Sequence, residues 1–334
     1  MSHDIQNDLQ QLREGAAIAT LRDRAFLRIK GSDATRWLNG MVTNSIQALK
    51  PGEGNYSFLL NAQGRIQGDC TVYRELHDGD AVFLLETDAT QLDTIEALLD
   101  KFIIMDDVEL ERLTLFGFAI IGPRAFHKLA HLVLGDDEEV LAAAAASPAG
   151  ILHSQPFGSD VRVLHVPLPG TPAYELWFPE EAAADSLREK LHALGVSEVS
   201  AEALEAFRIL EGRPRFGTDI RDRDLPQETN QTHALHFAKG CYLGQEIVER
   251  IRSRGQVHRL FTPFRLIGEF PALPATLETV IAGQTKSGGE LTSAVRIGDE
   301  IYALGYGRRE ALETNQTLTY PGGTAEPVSS SSHS

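Results

Sequence analysis

The sequence predicts an α+β protein with a separate β-barrel at its C-terminal end. Strands and helices interleave irregularly up to Gly255, without the strict alternation of a doubly wound parallel sheet. From His258 onward, only short strands follow one another, at a spacing typical of a small barrel. With 42 % hydrophobic and 23 % charged residues among 334, the chain has the composition of an ordinary globular protein.

The first elements of the chain are a strand and a capped helix. Apolar side chains alternate over residues 25–29, which predicts a short strand. Ser32 is the predicted N-cap of the next helix, which carries Trp37, and Gly40 is its predicted end.

A meander of three strands is predicted next. Its strands span 56–60, 65–76 and 81–87, and its turns lie at 61–64 and 77–79. Because side chains alternate along a strand, Cys70 faces the predicted core and Asp69 lies on the opposite face. Asp88 is the predicted cap of the helix that follows, and Leu92, Ile95 and Leu99 lie on one side of this helix.

The middle of the chain alternates between the two kinds of element. Strands are predicted at 113–121, around Ile151, and at 161–166 and 174–178. Two helices are predicted to end at Gly135 and Gly195, and Ser200 is the predicted cap of a third. An alanine-rich surface helix and a loop are predicted before Gly150. Residues 219–236 show no periodicity, which indicates a long functional loop.

The C-terminal part begins with a helical stripe that Gly255 ends. Five barrel strands are predicted, at 261–266, 279–282, 291–297, 301–306 and 317–320. Gly288 and Gly289 are interpreted as a turn, and residues 329–334 as a disordered tail.

Composition excludes several function classes. A net charge of -16 argues against stable binding to nucleic acid. The apolar runs are shorter than the ~20 residues that cross a bilayer, so we expect a cytoplasmic protein without membrane contact. Dinucleotide and triphosphate glycine motifs are absent from the sequence. His127 and His131 have a zinc-compatible spacing but no evident third ligand, so no metal is predicted.

The most informative segment spans residues 239–246 and contains Cys241. A lysine and a helix start flank this thiol, and both favour its thiolate form. A reactive cysteine is one interpretation; a small apolar side chain packed under Tyr242 is the other. Arginines cluster nearby in an otherwise acidic chain, either as a charge-balanced surface or as a site for a carboxylate or phosphate.

This segment resembles the Lys-Gly-Cys-Tyr-x-Gly-Gln-Glu signature of the folate-binding YgfZ proteins, relatives of the aminomethyltransferase (T-protein) of the glycine cleavage system. Further similarity lies at 37–40, 42–44, 61–69, 208–212, 217–220, 226–228, 291–294 and 303–306, and so extends over essentially the whole chain.

The resemblance implies a three-domain T-protein-like architecture with a central hole for tetrahydrofolate. Residues 1–255 would form two interleaved α+β domains, with the meander unit at about 51–110, and residues 256–328 would form the barrel. The catalytic residues implied are Cys241 and Asp69; the cofactor-binding residues implied are Asp69, Glu175, Arg208, Lys239 and Tyr242. Without the resemblance, Asp69 could accept only turn hydrogen bonds, and Arg208 could form an ion pair with Glu211.

Three functions follow as hypotheses. The first is a tetrahydrofolate-binding protein that supports assembly or repair of iron-sulfur enzymes, including tRNA-modifying ones. Its partners would be a reduced folate, with or without a polyglutamate tail, and iron-sulfur client or assembly proteins. The second is an aminomethyltransferase, a tetrahydrofolate-dependent one-carbon transferase, although Gly68 stands where many T-proteins carry an aspartate. The third is a non-catalytic docking adaptor.

Overall fold

The protein is described by a computed structural model over residues 5–75, 79–133, 150–154, 161–166, 169–281 and 283–328. The chain divides into two compact units. The first comprises Met1–Leu60, Gln67–Ala201 and His233–Leu243, and the second comprises Asn61–Ile66, Glu202–Thr232 and Gly244–Ser334. The domain bounds 1–255 and 256–328 stay a prediction, and the predicted disordered tail lies outside the described residues.

The first unit contains two β-sheets and five helices among its described residues. Its elements are α1 (Ile5–Glu14), β1 (Ala17–Thr20), β2 (Arg24–Lys30), α2 (Ala34–Met41), β3 (Gly54–Leu60), β4 (Ile66–Arg74), β5 (Phe83–Asp88), α3 (Leu92–Asp100), β6 (Glu109–Leu113), β7 (Phe116–Ile121), α4 (Ala125–Val133), β8 (Gly150–Ser154), β9 (Val161–His165), β10 (Ala173–Phe178), α5 (Glu181–Ala193) and β11 (Ser197–Glu198). One sheet has the order β3-β4-β5-β2-β6, and the other has the order β11-β1-β7-β10-β9-β8.

The two sheets pack against each other, and helices cover their outer faces. Helices α2 and α3 bury side chains such as Trp37 and Leu99 on the five-stranded sheet. Helices α4 and α5 do the same on the six-stranded sheet. Between the sheets lie Phe26, Tyr73 and Trp177. Because side chains alternate along each strand, one face of each sheet packs against helices and the other faces the second sheet.

Most predicted elements of this unit are confirmed, and two predicted caps are wrong. The N-cap of α2 is Asp33, because the Ser32 hydroxyl donates instead to Asp107 Oδ2 at 2.7 Å. This helix also ends one residue beyond Gly40, at Met41. The N-cap of α3 is Gln91 rather than Asp88, because the Asp88 carboxylate accepts from the Thr90 backbone at 2.9 Å.

Other differences concern strand continuity. The single strand expected at 113–121 is two strands, β6 and β7, which belong to different sheets. The turn residues 77 and 78, and the alanine-rich segment from 134 to 149 with its expected helix end at Gly135, lie outside the described residues.

The second unit is built around a closed six-stranded barrel. Its elements are α6 (Ala201–Leu210), a 3-10 turn at Pro226–Thr229, α7 (Gln245–Arg254), β12 (Arg259–Gly268), β13 (Ala275–Ile281), β14 (Gln284–Ile297), β15 (Glu300–Arg308), α8 (Arg309–Glu313), β16 (Leu318–Tyr320) and β17 (Gly323–Pro327). The strand order is β12-β15-β14-β13-β16-β17. The predicted barrel is confirmed, with β17 as a strand that the sequence did not predict.

The predicted turn at Gly288 and Gly289 is wrong, because both residues lie inside β14. Gly289 has a φ of 136°, and an added Cβ would come within 1.8 Å of the Tyr306 carbonyl oxygen. The two glycines therefore serve close approach of neighbouring strands rather than chain reversal. Within the described part of the chain, no helix is long and apolar enough to cross a membrane.

Candidate functional site

The Asp69 carboxylate on β4 is held by side chains from other parts of the first unit. Tyr56 donates its hydroxyl to Asp69 Oδ2 at 2.6 Å, and the Gln91 amide donates to Oδ1 at 2.8 Å. Gln91 also accepts the Asp69 backbone N–H at 3.0 Å. Since these partners come from β3 and the start of α3, the interpretation that Asp69 accepts only turn hydrogen bonds is wrong. The carboxylate is oriented by neighbouring elements.

Burial and hydrogen bonding act on this carboxylate in opposite directions. Burial raises the pKa of Asp69, whereas hydrogen bonds from Tyr56 and Gln91 and the charge of Arg24 lower it. Burial also raises the pKa of the Tyr56 hydroxyl well above its ordinary value, so Tyr56 stays a hydrogen-bond donor. Asp69 is thus a part-buried acid whose proton affinity depends on Tyr56.

Glu175 lies on β10 and faces the five-stranded sheet. Its carboxylate accepts from Trp177 Nε1 at 3.0 Å, and its other oxygen lies 3.9 Å from Arg24 Nη2. Arg24 Nε contacts Glu86 Oε1 at 3.2 Å. Glu86 and Glu175 are 5 % and 4 % exposed, so two buried carboxyl groups share one guanidinium.

Two buried carboxyl groups face a single guanidinium in this layer. Burial raises the pKa of Glu86 well above its ordinary value, and the negative charge of Glu175 raises it further. Glu86 therefore keeps its proton at pH values where an exposed glutamate has lost it. Sequence reasoning missed both Arg24 and Glu86. The available signal was Glu86, a carboxylate that directly follows three apolar residues on β5.

A second cluster connects the segment that carries Cys241 to the loop after α2. The Asn44 amide donates to Tyr56 O at 3.0 Å and to His233 O at 2.9 Å. Lys239 Nζ donates to the carbonyl oxygens of Val42 and Asn44, each at 2.6 Å. The thiol-bearing segment is therefore anchored to the residues that also hold Tyr56.

Lys239 is engaged by the protein itself. Burial lowers its pKa to about 7. Two carbonyl acceptors and the Tyr242 ring, whose centroid lies 5.0 Å from Nζ, favour the charged ammonium. These contacts give Lys239 a structural role, and contact of Lys239 or Tyr242 with a cofactor stays a prediction.

The two cysteines lie in opposite environments. Cys241 is exposed, whereas Cys70 is 2 % exposed and packs in the core, as the alternation along β4 predicts. Exposure of Cys241 contradicts the interpretation of a thiol packed beneath Tyr242. Helix α7 begins at Gln245, four residues after the cysteine.

Arg208 belongs to the second unit and has protein partners there. It contacts Glu205 Oε1 and Asp219 Oδ2, each at 2.6 Å, and Ser293 Oγ at 2.9 Å. The alternative ion pair with Glu211 is wrong, because α6 ends at Leu210 and Glu211 lies 3.6 Å from Arg213 instead. Its predicted role in cofactor binding stays a prediction.

The arginine cluster is largely neutralised by carboxylates. Arg221, Arg223 and Arg259 all contact Glu290, at 3.2, 3.0 and 3.6 Å, and Arg259 also contacts Asp224 at 2.6 Å. These pairs favour a charge-balanced surface over an anion site. Among the described residues, no three His, Cys, Asp or Glu side chains are grouped so that they could hold a metal ion.

Comparison with known sequences decides the family. The sequence model of the GCVT N-terminal domain matches residues 1–239. The chain belongs to this family. The match covers both sheets of the first unit and the segment up to Lys239, and thus includes Asp69, Glu175 and Arg208.

Individual relatives of this chain carry different names. An "Iron-sulfur cluster assembly factor IBA57 homolog, mitochondrial" from Pyricularia oryzae is 29 % identical over 269 residues, which are 79 % of this chain and 60 % of the relative. An "Aminomethyltransferase" from Mycolicibacterium paratuberculosis is 26 % identical over 263 residues, 78 % of this chain and 68 % of that protein. The chain thus spans less than two thirds of the length of the assembly factor.

A solved structure shows the same fold. The glycine cleavage system aminomethyltransferase T from Bartonella henselae superposes with a TM-score of 0.78 at 19 % identity, covering 97 % of this chain and 88 % of that one. The predicted T-protein-like α+β fold with its C-terminal barrel is confirmed.

Replacing Glu86 by Gln is expected to change how stability depends on pH. A folded-state pKa above the ordinary 4.5 means that stability is lost as pH rises from about 4.5 through the folded pKa, by up to about 1.4 kcal/mol per pH unit. Glu86→Gln removes this loss. The free energy of unfolding of the variant should therefore increase relative to that of the wild type as pH rises. Urea unfolding at a series of pH values measures the difference.

The control for that series is Glu111→Gln on β6. Glu111 is exposed, and a hydrogen bond from Arg28 lowers its pKa, so its replacement acts with the opposite sign. Parallel pH curves for wild type and Glu86→Gln contradict the assignment of a buried, protonated Glu86.

Replacing Tyr56 by Phe is expected to raise the pKa of Asp69 further. The lost hydroxyl is a donor that favours the ionised carboxylate. Carbon-13 NMR titration of the carboxyl signal, assigned with Asp69→Asn, measures the shift. Tyr302→Phe is the matched control, because Tyr302 donates to Glu300 at the same 2.6 Å distance. An unchanged Asp69 titration in Tyr56→Phe refutes the coupling.

Proposed function

We propose that this protein binds tetrahydrofolate and supports the assembly or repair of iron-sulfur enzymes, including those that modify tRNA. The observation that carries the proposal is the exposed thiol of Cys241 on a segment anchored beside Tyr56, the donor to Asp69. A candidate reactive sulfur and an oriented acid are thus connected through Asn44. The names of the IBA57 homologues support the iron-sulfur part of the proposal.

The inter-sheet carboxylates suit the pterin ring of a reduced folate. A pterin presents an amino group and a ring N–H side by side, and a carboxylate can accept both in a paired geometry. Glu175 is buried and is oriented by Trp177, which meets this requirement. Glu175 would hold the pterin, and Asp69 would lie toward the one-carbon centre. When bound, tetrahydrofolate carries the one-carbon unit.

Cys241 alone cannot hold an iron-sulfur cluster, because such clusters are bound by several thiolates. Cys70 is buried in the core and offers no second ligand. A cluster contacting Cys241 would therefore be shared with a client or assembly protein that provides the other ligands. An exposed thiol is accessible for such a shared contact.

An aminomethyltransferase activity is the second candidate, supported by the similarity to proteins with that name. The environment of Gly68 argues against it. A Cβ at this position would lie 3.0 Å from Ile95 Cγ1 and 3.2 Å from Gln91 Oε1. An aspartate there would disturb both the core and the side chain that holds Asp69. Ammonia release from a lipoylated carrier protein would favour this candidate over the first.

Isothermal titration with 5-formyltetrahydrofolate, a stable reduced folate, tests the cofactor. We expect saturable binding that Glu175→Gln or Asp69→Asn weakens about tenfold or more, the effect of losing one charged hydrogen bond. Glu111→Gln, an exposed glutamate of the same unit, is expected to bind as the wild type does. Absence of binding heat would refute the folate proposal and favour a docking adaptor.

Complementation of a deletion strain tests the thiol. Cys241→Ala is expected to lose most of the restored activity of iron-sulfur enzymes, including tRNA-modifying ones, while the protein accumulates normally. Cys70→Ala is the matched control, since it removes a thiol from the core and affects stability rather than activity. Full activity of Cys241→Ala would refute a role for the thiol.

A further inference from the structure

The layer between the two sheets of the first unit contains an unusual charge arrangement. Glu86 and Glu175 project into it from different sheets, and both are almost completely buried. Arg24, the first residue of β2, reaches them from the edge with 35 % of its side chain exposed. The guanidinium lies 3.2 Å from Glu86 but 3.9 Å from Glu175.

The contact with Glu175 is therefore loose. A distance of 3.9 Å exceeds that of a charged hydrogen bond, which is about 2.8 Å. An arginine that served only to neutralise the two carboxylates would be expected to contact both closely, because burying an unpaired charge is costly. A hydrogen bond with the Glu86 side chain and one from Trp177 already hold Glu175, so Arg24 is its weakest partner and the one that a planar ligand edge could replace.

A buried hydroxyl beside this pair has only a weak partner, the Thr71 side chain. Tyr73 is 0 % exposed, and within the described residues its hydroxyl makes no hydrogen bond of normal geometry. Burial raises the pKa of this hydroxyl, and so do the nearby charges of Glu86 and Glu175. A poorly satisfied buried polar atom beside two carboxyl groups is costly in free energy, and a ligand that offers polar atoms would relieve that cost.

The Arg24 guanidinium has the same donor pattern as one edge of a pterin. A guanidinium is planar and presents parallel N–H groups to a carboxylate. The 2-amino group and adjacent ring N–H of a pterin present the same pair from a flat ring. One binding site can therefore accept either group.

We propose that Arg24 is an internal mimic of the amidine-like edge of the pterin and competes with it for the Glu86–Glu175 pair. The inference rests on the proposed folate function and adds to it a residue that sets ligand affinity. Binding exchanges the Arg24 guanidinium for the ligand edge, and the arginine moves to solvent through its exposed side. Arg24 then weakens folate binding instead of supporting it.

The experiment compares Arg24→Ala, Arg24→Lys and the wild type. Titration with 5-formyltetrahydrofolate is expected to give a Kd about three- to tenfold lower for Arg24→Ala, because its competitor is gone. Arg24→Lys, which keeps the charge but loses the planar fork, should fall between the two. A purely structural arginine would produce the opposite order, with weaker binding in Arg24→Ala.

Chemical rescue provides a readout that does not depend on folate. Arg24→Ala is expected to melt at a lower temperature than the wild type, and millimolar methylguanidinium should restore part of that loss by occupying the vacated position. Arg162→Ala is the matched control, because Arg162 also lies in the first unit and pairs with buried Glu75 at 2.8 Å. Methylguanidinium should stabilise this control less.

Each outcome supports or overturns the proposal. Unchanged or weaker folate binding by Arg24→Ala overturns it, and so does equal rescue of the two alanine variants. If neither the wild type nor Arg24→Ala binds the folate, the proposed function fails and this inference fails with it. If the wild type binds and Arg24→Ala binds no more tightly, only the inference fails.

Discussion

The structure of the first unit depends on how charged side chains are accommodated between two packed sheets. A charge taken out of water must be paired and hydrogen-bonded, or its pKa shifts until it is neutral. Here both compensations occur together. Arg24 pairs with Glu86, Trp177 donates to Glu175, and burial raises the pKa of Glu86. The orientation of Glu175 and the electrostatic environment of Asp69 both follow from this arrangement.

The backbone of the Cys241 segment imposes a second requirement. Residues 233–243 contain little regular structure, so their carbonyl groups and those of the neighbouring loop need side-chain donors. Asn44 and Lys239 provide them. An exposed thiol consequently lies on a well-anchored segment, which suits a cysteine that meets partners without losing its position.

Several features were predictable because they depend on local pattern. Alternation along β4 placed Cys70 in the core and Asp69 opposite it, and the spacing of short strands after His258 indicated the barrel. Two of the errors arose where a distant residue competed with a local one. Ser32 bonds to Asp107 rather than capping α2, and Gly289 allows close strand approach where a turn was expected.

The sequence by itself determined the fold family, the core position of Cys70 and the identity of Asp69 and Glu175 as candidates, because short motifs and period-two alternation encode these. The exposure of Cys241 was decided by the tertiary structure. Only the tertiary structure showed that Arg24, Glu86 and Tyr56 belong with them. These residues are far apart along the chain and become neighbours through strand pairing and sheet packing, which no local pattern specifies. Whether a buried carboxyl is charged depends on those neighbours, so its chemistry is a property of the folded chain.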